Sequence, residues 1–508
     1  MEREKWASRS TFVLAAIGSA VGLGSVWRFP GLVAKHGGGA FLLVYFIITL
    51  VLGIPLLMME IAMGRKTKKG APNAFRALNP KLEPIGWAAT ANAFVITTYY
   101  AAVFAWVIAM VFKSYAFVGM TGNTEAASGI FTKMTETTWN VSGYSIPWII
   151  FVSLLVAWAL IYYCIRNGAH SVGKVVKYTV FLPVIFLLIM AVKGIPMPGA
   201  MDGIKKLFIP DFSALSSVGL WVDAVGQVFY SLSIMMAIMF AYGSFLDDDS
   251  NIAVDTLIIA FSNMAVSILA GIVMFSTMGG VGMLDQITSS GIAAAFIVYP
   301  QAIVSLTSIG WINAIFGLMF YLCLAALAID SAFSIVEGVS TAIYDKFGLS
   351  HKKTTIGVCI VAGIVSLLFA TRAGVAWLDI IDNWTNQYNM LIIGVLECIA
   401  VGWVFNASKI LDEINRNTIK FKLSKVWFFW SVKVIAPLSL GGLLCWNLYT
   451  LFFINNGKYG YPLWSEVIGG WVVTGLVFIS GIIIYIVTKK SKRLTELSKK
   501  EPQWDEIK

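Results

Sequence analysis

The sequence predicts an all-α integral membrane protein, and three observations carry that prediction. Of its 508 residues, 58% are hydrophobic and 13% are charged. The apolar residues gather in runs of about 18 or more, the length an α-helix needs to cross a bilayer. The first of those runs is broken: residues 18–30 read GSAVGLGSVWRFP, with three glycines, two serines, an arginine and a proline inside the hydrophobic segment. In hydrocarbon an unpaired N–H or C=O is costly, so non-helical backbone at that depth persists only where protein, water or a ligand satisfies it. Close helix packing would explain the glycines. It leaves Arg28 unexplained.

Taken in order, the chain gives twelve spans, near 11–34, 40–63, 86–113, 147–165, 172–193, 219–245, 253–279, 310–341, 355–371, 377–404, 428–453 and 467–488. A short helix over 287–306 is expected on the outer side. The N-terminus, MEREKWASRS, runs into a span too long and too interrupted for a signal-peptide core. Basic residues collect in alternate connections: RKTKKG at 65–70, DKFGLSHKK at 345–353, KILDEINRNTIKFKLSK at 409–425 and KKSKRLTELSKK at 489–500. By the positive-inside rule both termini are cytoplasmic. The formal charge of +10 therefore reports topology and not nucleic-acid binding.

Several classes drop out. Cys164, Cys323, Cys359, Cys398 and Cys445 fall within spans at unrelated spacings, as small buried hydrophobes do. His36, His170 and His351 lie near loops, with no nucleophile–base or metal motif, so an enzyme is not expected. A channel needs a continuous polar path, whereas the polar groups here cluster in mid-span.

Those groups carry the functional information, because intramembrane charge is expensive and faces a cavity. Glu60, Asp330 and Glu397 lie inside spans, and Arg28 and Asp382 nearer the outer ends. Gln227 and Ser231 lie four residues apart on one helical face, as do Asn263 and Ser267. Asp330 and Ser331 adjoin below Leu327. Any one such hydroxyl or amide is ordinarily an interhelical hydrogen bond. Together, beside a broken helix, they form an oxygen-rich cluster suited to a hard cation such as Na⁺.

GSAVGLGSVWRFP, HGGGAF, PLLMMEIAMGR, AVGQVFYSLS, LAIDSAFSIVE and LDIIDNW, in that order from Trp6 to about Glu397, resemble the neurotransmitter:sodium symporter family in its bacterial amino-acid branch. The resemblance implies a LeuT-type 5+5 inverted repeat of twelve transmembrane helices, with helices 1 and 6 unwound at midplane. Residues 1–200 would form the first repeat, 201–405 the second, and 406–508 the last two helices and tail.

The resemblance also implies sites. One Na⁺ site takes the Ala20 carbonyl, Ser25, Ser231, Asn263 and the substrate carboxylate; relatives often have Asn where Ser25 stands. The second takes the carbonyls of Gly18, Val21 and Leu327 with Asp330 and Ser331. Chloride-independent bacterial relatives carry an acidic residue at the position of Ser267. The neutral set Tyr45, Gln227, Ser231, Asn263 and Ser267 therefore implies a Cl⁻ site. Gly22 stands where amine transporters have Asp, which favours an α-amino acid. Its pocket would comprise Ala20, Gly22, Leu23, Gly24, Ile96, Tyr100, Tyr230, Ser231, Ser233, Met236, Ser331 and Ile335, with a neutral hydrophobic side chain expected. Met235 and Met236 replace a usual glycine and Phe or Met, so no glycine marks the break in span 6. Arg28 and Asp382 match an outer gate beneath which Tyr100 and Tyr230 form a lid. Arg3 and Asp345 match an inner gate, with Trp6 wedged between spans. Gly173 and Pro183 resemble a GlyX9Pro motif for unwinding span 5. The expected protein is a sodium-coupled, chloride-dependent importer of a neutral amino acid in the plasma membrane, or a non-transporting sensor of the same fold. Oligomeric state is not readable.

Overall fold

The computed structural model describes residues 4–288, 290–418, 421–499 and 501–507. Among these, nine helices are long and apolar enough to cross a membrane: Gly39–Thr67, Pro80–Met120, Trp148–Ile165, Gly168–Gly194, Ile252–Gly280, Gly310–Phe347, Gly374–Val404, Lys425–Ile454 and Leu463–Lys490. A tenth is a bent pair, Arg9–Ala20 and Gly24–Lys35, whose halves meet at 51°. The short apolar helix Gly291–Val304 lies where one was expected.

Two expected spans fall short by length. The ninth, His351–Ser366, has 16 residues, about 24 Å of helix against a hydrocarbon core of about 30 Å. The sixth is two pieces, Val218–Ser231 and Ile238–Ser244. Between them Ser233, Met235 and Ala237 take φ of 55°, 64° and 59°. A left-handed conformation costs a residue with a side chain about 1–2 kcal/mol. No glycine eases this break, so the surroundings must hold it open.

The first span breaks more gently. Val21 leaves the helix at ψ 73°, and the chain resumes through a wide turn over Gly24–Arg28. Pro30 then sits in the first turn of Phe29–Lys35, where its missing N–H costs nothing. Spans 4, 5 and 12 form the outer skin: Leu155, Ile185, Val192 and Ile483 expose large apolar side chains. Spans 1, 3, 6 and 8 fill the interior.

One end of the bundle is tied by charge. The fully buried Arg65 donates to Glu413 Oε1 at 2.8 Å and to the Ser250 carbonyl. Arg9 pairs with Asp255 at 2.6 Å and Lys5 with Asp247 at 2.7 Å. The tail folds back onto the same end. Its Trp504 is buried against Phe405, with ring centroids 5.7 Å apart, and its Glu501 accepts from Asn73 Nδ2 at 2.8 Å. Lys69, Arg76, Lys346 and Asp345 are the charges that face Glu501.

Two outcomes follow. Arg65→Met should strand Glu413 and cost about 3–5 kcal/mol, read as a lowered Tm in detergent, with Arg65→Met/Glu413→Leu recovering part of it. Burial pushes the Glu501 carboxyl up to about 7, so docking the tail takes up a proton. Docking should be strongest below the ordinary glutamate range and weaken as pH rises to about 7. Hydrogen exchange across residues 492–507 checks this, and Glu501→Gln should flatten the dependence.

Candidate functional site

The two helix breaks face each other and satisfy each other. Ser233 Oγ donates to the Ser19 carbonyl at 3.0 Å, and Ser19 Oγ donates to Ser233 Oγ at 3.2 Å. Gln227 Nε2 donates to the Gly24 carbonyl at 3.3 Å, and Ser331 Oγ to the Ser19 carbonyl at 3.3 Å. Span 2 supplies the remaining support: Glu60 Oε1 accepts from the Met235 N–H at 2.7 Å.

Between the breaks lies a cavity of about 20 Å³, room for about one water. The first span lines it with Ser19, Ala20, Gly22, Gly24 and Ser25, and the third with Ile96 and Tyr100. The sixth adds Tyr230, Ser231, Ser233 and Met236, and the eighth Ser331 and Ile335. Leu23 is wholly buried and does not line the cavity. A Cβ on Gly22 would stand 2.6 Å from Ser331 Oγ and 3.5 Å from the Tyr100 hydroxyl, and one on Gly24 would stand 2.7 Å from the Tyr230 ring. The Tyr100 hydroxyl itself is buried, faces Ser331 and the Leu23 N–H, and closes no hydrogen bond of normal geometry with them. A donor is thus aimed at space that only glycine leaves free.

Two oxygen clusters flank this cavity. In one, Ser25 Oγ donates to Asn263 Oδ1 at 3.1 Å, and Asn263 Nδ2 reaches Ser231 Oγ at 3.0 Å and the Tyr45 hydroxyl at 3.2 Å. Tyr45 and Ser231 are 3.2 Å apart. Ser267 Oγ donates to the Asn263 carbonyl at 2.9 Å and faces Tyr45. The other cluster centres on Asp330, wholly buried, with Oδ1 unpartnered. A Cβ on Gly18 would meet its Oδ2 at 2.6 Å, so the carboxylate lies directly against the first-span break. A buried carboxylate with one unpartnered oxygen beside a helix break suits a hard cation. The carbonyls of Val21 and Leu327 belong to segments flanking it.

Access differs between the two ends. At the tied end Trp6 is buried, its Nε1 donating to the Tyr242 carbonyl at 3.0 Å, its ring edge-on to Tyr242 at 5.1 Å and Phe245 at 5.8 Å. Asp345 Oδ2 accepts from the Gly70 N–H at 2.8 Å; Arg3, its expected partner, lies outside the described residues. At the opposite end a vestibule of about 300 Å³ holds Arg28, Asp382 and Asn386. Among the described residues Arg28 and Asp382 make no ion pair within 4.0 Å; Asp382 accepts from Asn386 Nδ2 at 2.7 Å instead. Tyr100 and Tyr230 line both vestibule and cavity, and so form the partition between them.

Three residues gain roles that their sequence context did not assign. Ser19 ties the two breaks, Glu60 caps the sixth-span break, and Thr179 faces the Asp330 carboxylate. Their polarity inside apolar spans was the available signal. Their partners lie more than 150 residues away and leave no mark on local sequence.

A two-break helical bundle with buried oxygen clusters and a partitioned entrance is the architecture of a transporter. A model of the sodium:neurotransmitter symporter family matches residues 3–126 and 128–492. An uncharacterized sodium-dependent transporter of Methanocaldococcus jannaschii is 34% identical over 499 residues, spanning 95% of this chain and 98% of that one. A sodium- and chloride-dependent creatine transporter of Bos taurus is 30% identical over 517 residues (92% and 80% covered). A sodium- and chloride-dependent GABA transporter of Rattus norvegicus is 29% identical over 534 residues (96% and 87%). The chain belongs to the sodium:neurotransmitter symporter family: it is a multi-pass membrane transporter and not an enzyme.

Glu60→Ala should orphan the Met235 N–H and cost about 1–3 kcal/mol. Glu60→Gln keeps an acceptor and should stay near the wild-type Tm. Equal losses in both variants would remove the capping role.

Proposed function

We propose that this chain imports a neutral, hydrophobic α-amino acid together with two Na⁺ and one Cl⁻ by alternating access. The observation that carries the substrate class is the Tyr100 hydroxyl, buried with no hydrogen bond of normal geometry closed and facing the bare Cα of Gly22 beside Ser331 and the Leu23 N–H. A substrate carboxylate fits there. An amine would need an acid at Gly22, and the side chain meets Ile96, Met236 and Ile335, all apolar. At about 20 Å³ the cavity must expand on binding, and Met236, with its flexible thioether, is the side chain best able to yield.

One Na⁺ sits among the Ala20 carbonyl, Ser25, Ser231, Asn263 and the substrate carboxylate. The other takes Gly18, Val21 and Leu327 carbonyls with Asp330 and Ser331. Support comes from the converging oxygens of the first cluster and the unpartnered Asp330 Oδ1 of the second. Cl⁻ takes the donors of Tyr45, Gln227, Ser231, Asn263 and Ser267, where no acid supplies negative charge. The names of the creatine and GABA transporters agree with chloride use.

Twelve spans complete the reading, with the split sixth and the short ninth crossing alongside the ten that pass by length, arranged as a 5+5 inverted repeat (1–200 and 201–405) with 406–508 appended. Both termini are cytoplasmic, so Trp6 plugs the inside and the vestibule of Arg28 and Asp382 opens outward. Substrate and Na⁺ enter past Tyr100 and Tyr230. Arg28 and Asp382 then draw together over them, and release follows withdrawal of Trp6 from Tyr242. Each Na⁺ carried inward gains about 2.3 kcal/mol per 100 mV. With two Na⁺, one Cl⁻ and a zwitterion, one net positive charge crosses per cycle.

In proteoliposomes, uptake of radiolabelled neutral amino acids should require Na⁺ and fall when gluconate replaces all Cl⁻. Ser267→Glu should restore uptake without Cl⁻. Gly22→Ala, whose methyl meets Ser331, should weaken substrate at least about tenfold, about 1.4 kcal/mol. Sodium-dependent binding without accumulation would identify a sensor.

A further inference from the structure

A second cavity, of about 310 Å³, lies far from the breaks, between the end of span 4 and the start of span 5. It is lined by Tyr163, Arg166, Asn167, His170, Lys174 and Tyr178, among others. Its side of the bundle is the tied end, because the Ala169 N–H beside it donates to Glu4 at 3.2 Å. No residue between Glu136 and Asp202 is acidic. Among the described residues Arg166, His170 and Lys174 have no carboxylate within 4.0 Å. Arg166 rests over the Tyr163 ring, 4.2 Å from its centroid, which fixes the guanidinium plane while leaving its N–H fork free.

What the cavity adjoins identifies its occupant. On the helical run Gly168–Gly194, Lys174, Tyr178, Phe181, Ile185, Ile189 and Val192 recur at three- and four-residue steps and form one stripe. Its upper part is bare hydrocarbon facing outward: Phe181 is 54% exposed and Val192 73%. Leu155 and Leu160 of span 4 are exposed as well. Lys174 stands seven residues, about 10 Å, from the first of these apolar side chains. That is the step from a headgroup phosphate to its acyl chains. A planar guanidinium engages phosphate oxygens through two parallel N–H bonds, and an ammonium adds a point charge. We propose that this cavity binds the phosphate headgroup of an anionic phospholipid whose acyl chains lie along the stripe from Phe181 to Val192. The placement of this end at the cytoplasmic leaflet rests on the orientation proposed above. The binding itself does not.

The same cavity reaches Thr179, which faces Asp330. A lipid seated there covers the side of span 5 that backs the carboxylate. Occupancy and transport are separable by measuring binding directly.

Native mass spectrometry of the purified full-length protein, titrated with phosphatidylglycerol, phosphatidylcholine or inorganic phosphate, tests the proposal. Phosphatidylglycerol should bind and survive activation, and phosphatidylcholine should bind far more weakly. Arg166→Gln/Lys174→Gln alters exposed side chains, and an unchanged Tm will verify its fold. It should weaken phosphatidylglycerol about tenfold or more. Lys177→Gln, a charge loss on the same helix outside the cavity, should leave affinity within about twofold. Equal retention of both lipids, displacement by inorganic phosphate, or an equal effect of Lys177→Gln would each overturn the assignment. Failure here leaves the amino-acid reading intact, since Gly22 and Tyr100 are untouched.

Discussion

A backbone amide in hydrocarbon must find a partner, and this chain opens its backbone at two helix breaks. Neither break is tolerable by itself. The first-span carbonyls of Ser19 and Gly24 accept from Ser233 and Gln227 of the sixth, while Glu60 holds the Met235 amide. Three side-chain-bearing residues, Ser233, Met235 and Ala237, remain in left-handed conformations as a result. Among the cavity and its flanking clusters, the Tyr100 hydroxyl, Asp330 Oδ1, Gln227 Oε1 and Glu60 Oε2 stay without a hydrogen bond, next to the space above Gly22.

The two ends of the bundle handle access by different means. One end is sealed by an indole that both packs and donates, and is laced by ion pairs and the returning tail. The other has a wide vestibule whose opposite charges stand apart, separated from the cavity by two tyrosine rings. Aromatic partitions suit this task. Their area excludes water, and rotation about two side-chain torsions removes them without moving a helix.

Much of this was legible in the sequence. Span positions follow from hydropathy, and the first break from the incompatibility of glycine, arginine and proline with a lipid-facing helix. The family follows from six ordered motifs. The sixth-span break was less legible, because Met235 occupies the place where a glycine would announce it; a carboxylate from span 2 does that work instead. The ninth helix passed as a span on composition, while its 16 residues fall below the length needed on geometry alone. Leu23 was grouped with the pocket, yet it is wholly buried and does not line the cavity, and its backbone N–H faces Tyr100 instead. Local patterns report what a segment is, and pairings such as Glu60 with Met235 depend on where distant segments meet.

The split sixth span also bears on how the chain is made. Its halves have 14 and 7 residues, neither enough to cross the bilayer as an independent helix. The group that satisfies its open backbone at Met235, the Glu60 carboxylate, comes from the second span and emerges from the ribosome long before residue 232. The sixth segment can therefore settle only onto partners already in the membrane. Chain order places the acceptors ahead of the strained donors that need them, so assembly is templated from the N-terminal end.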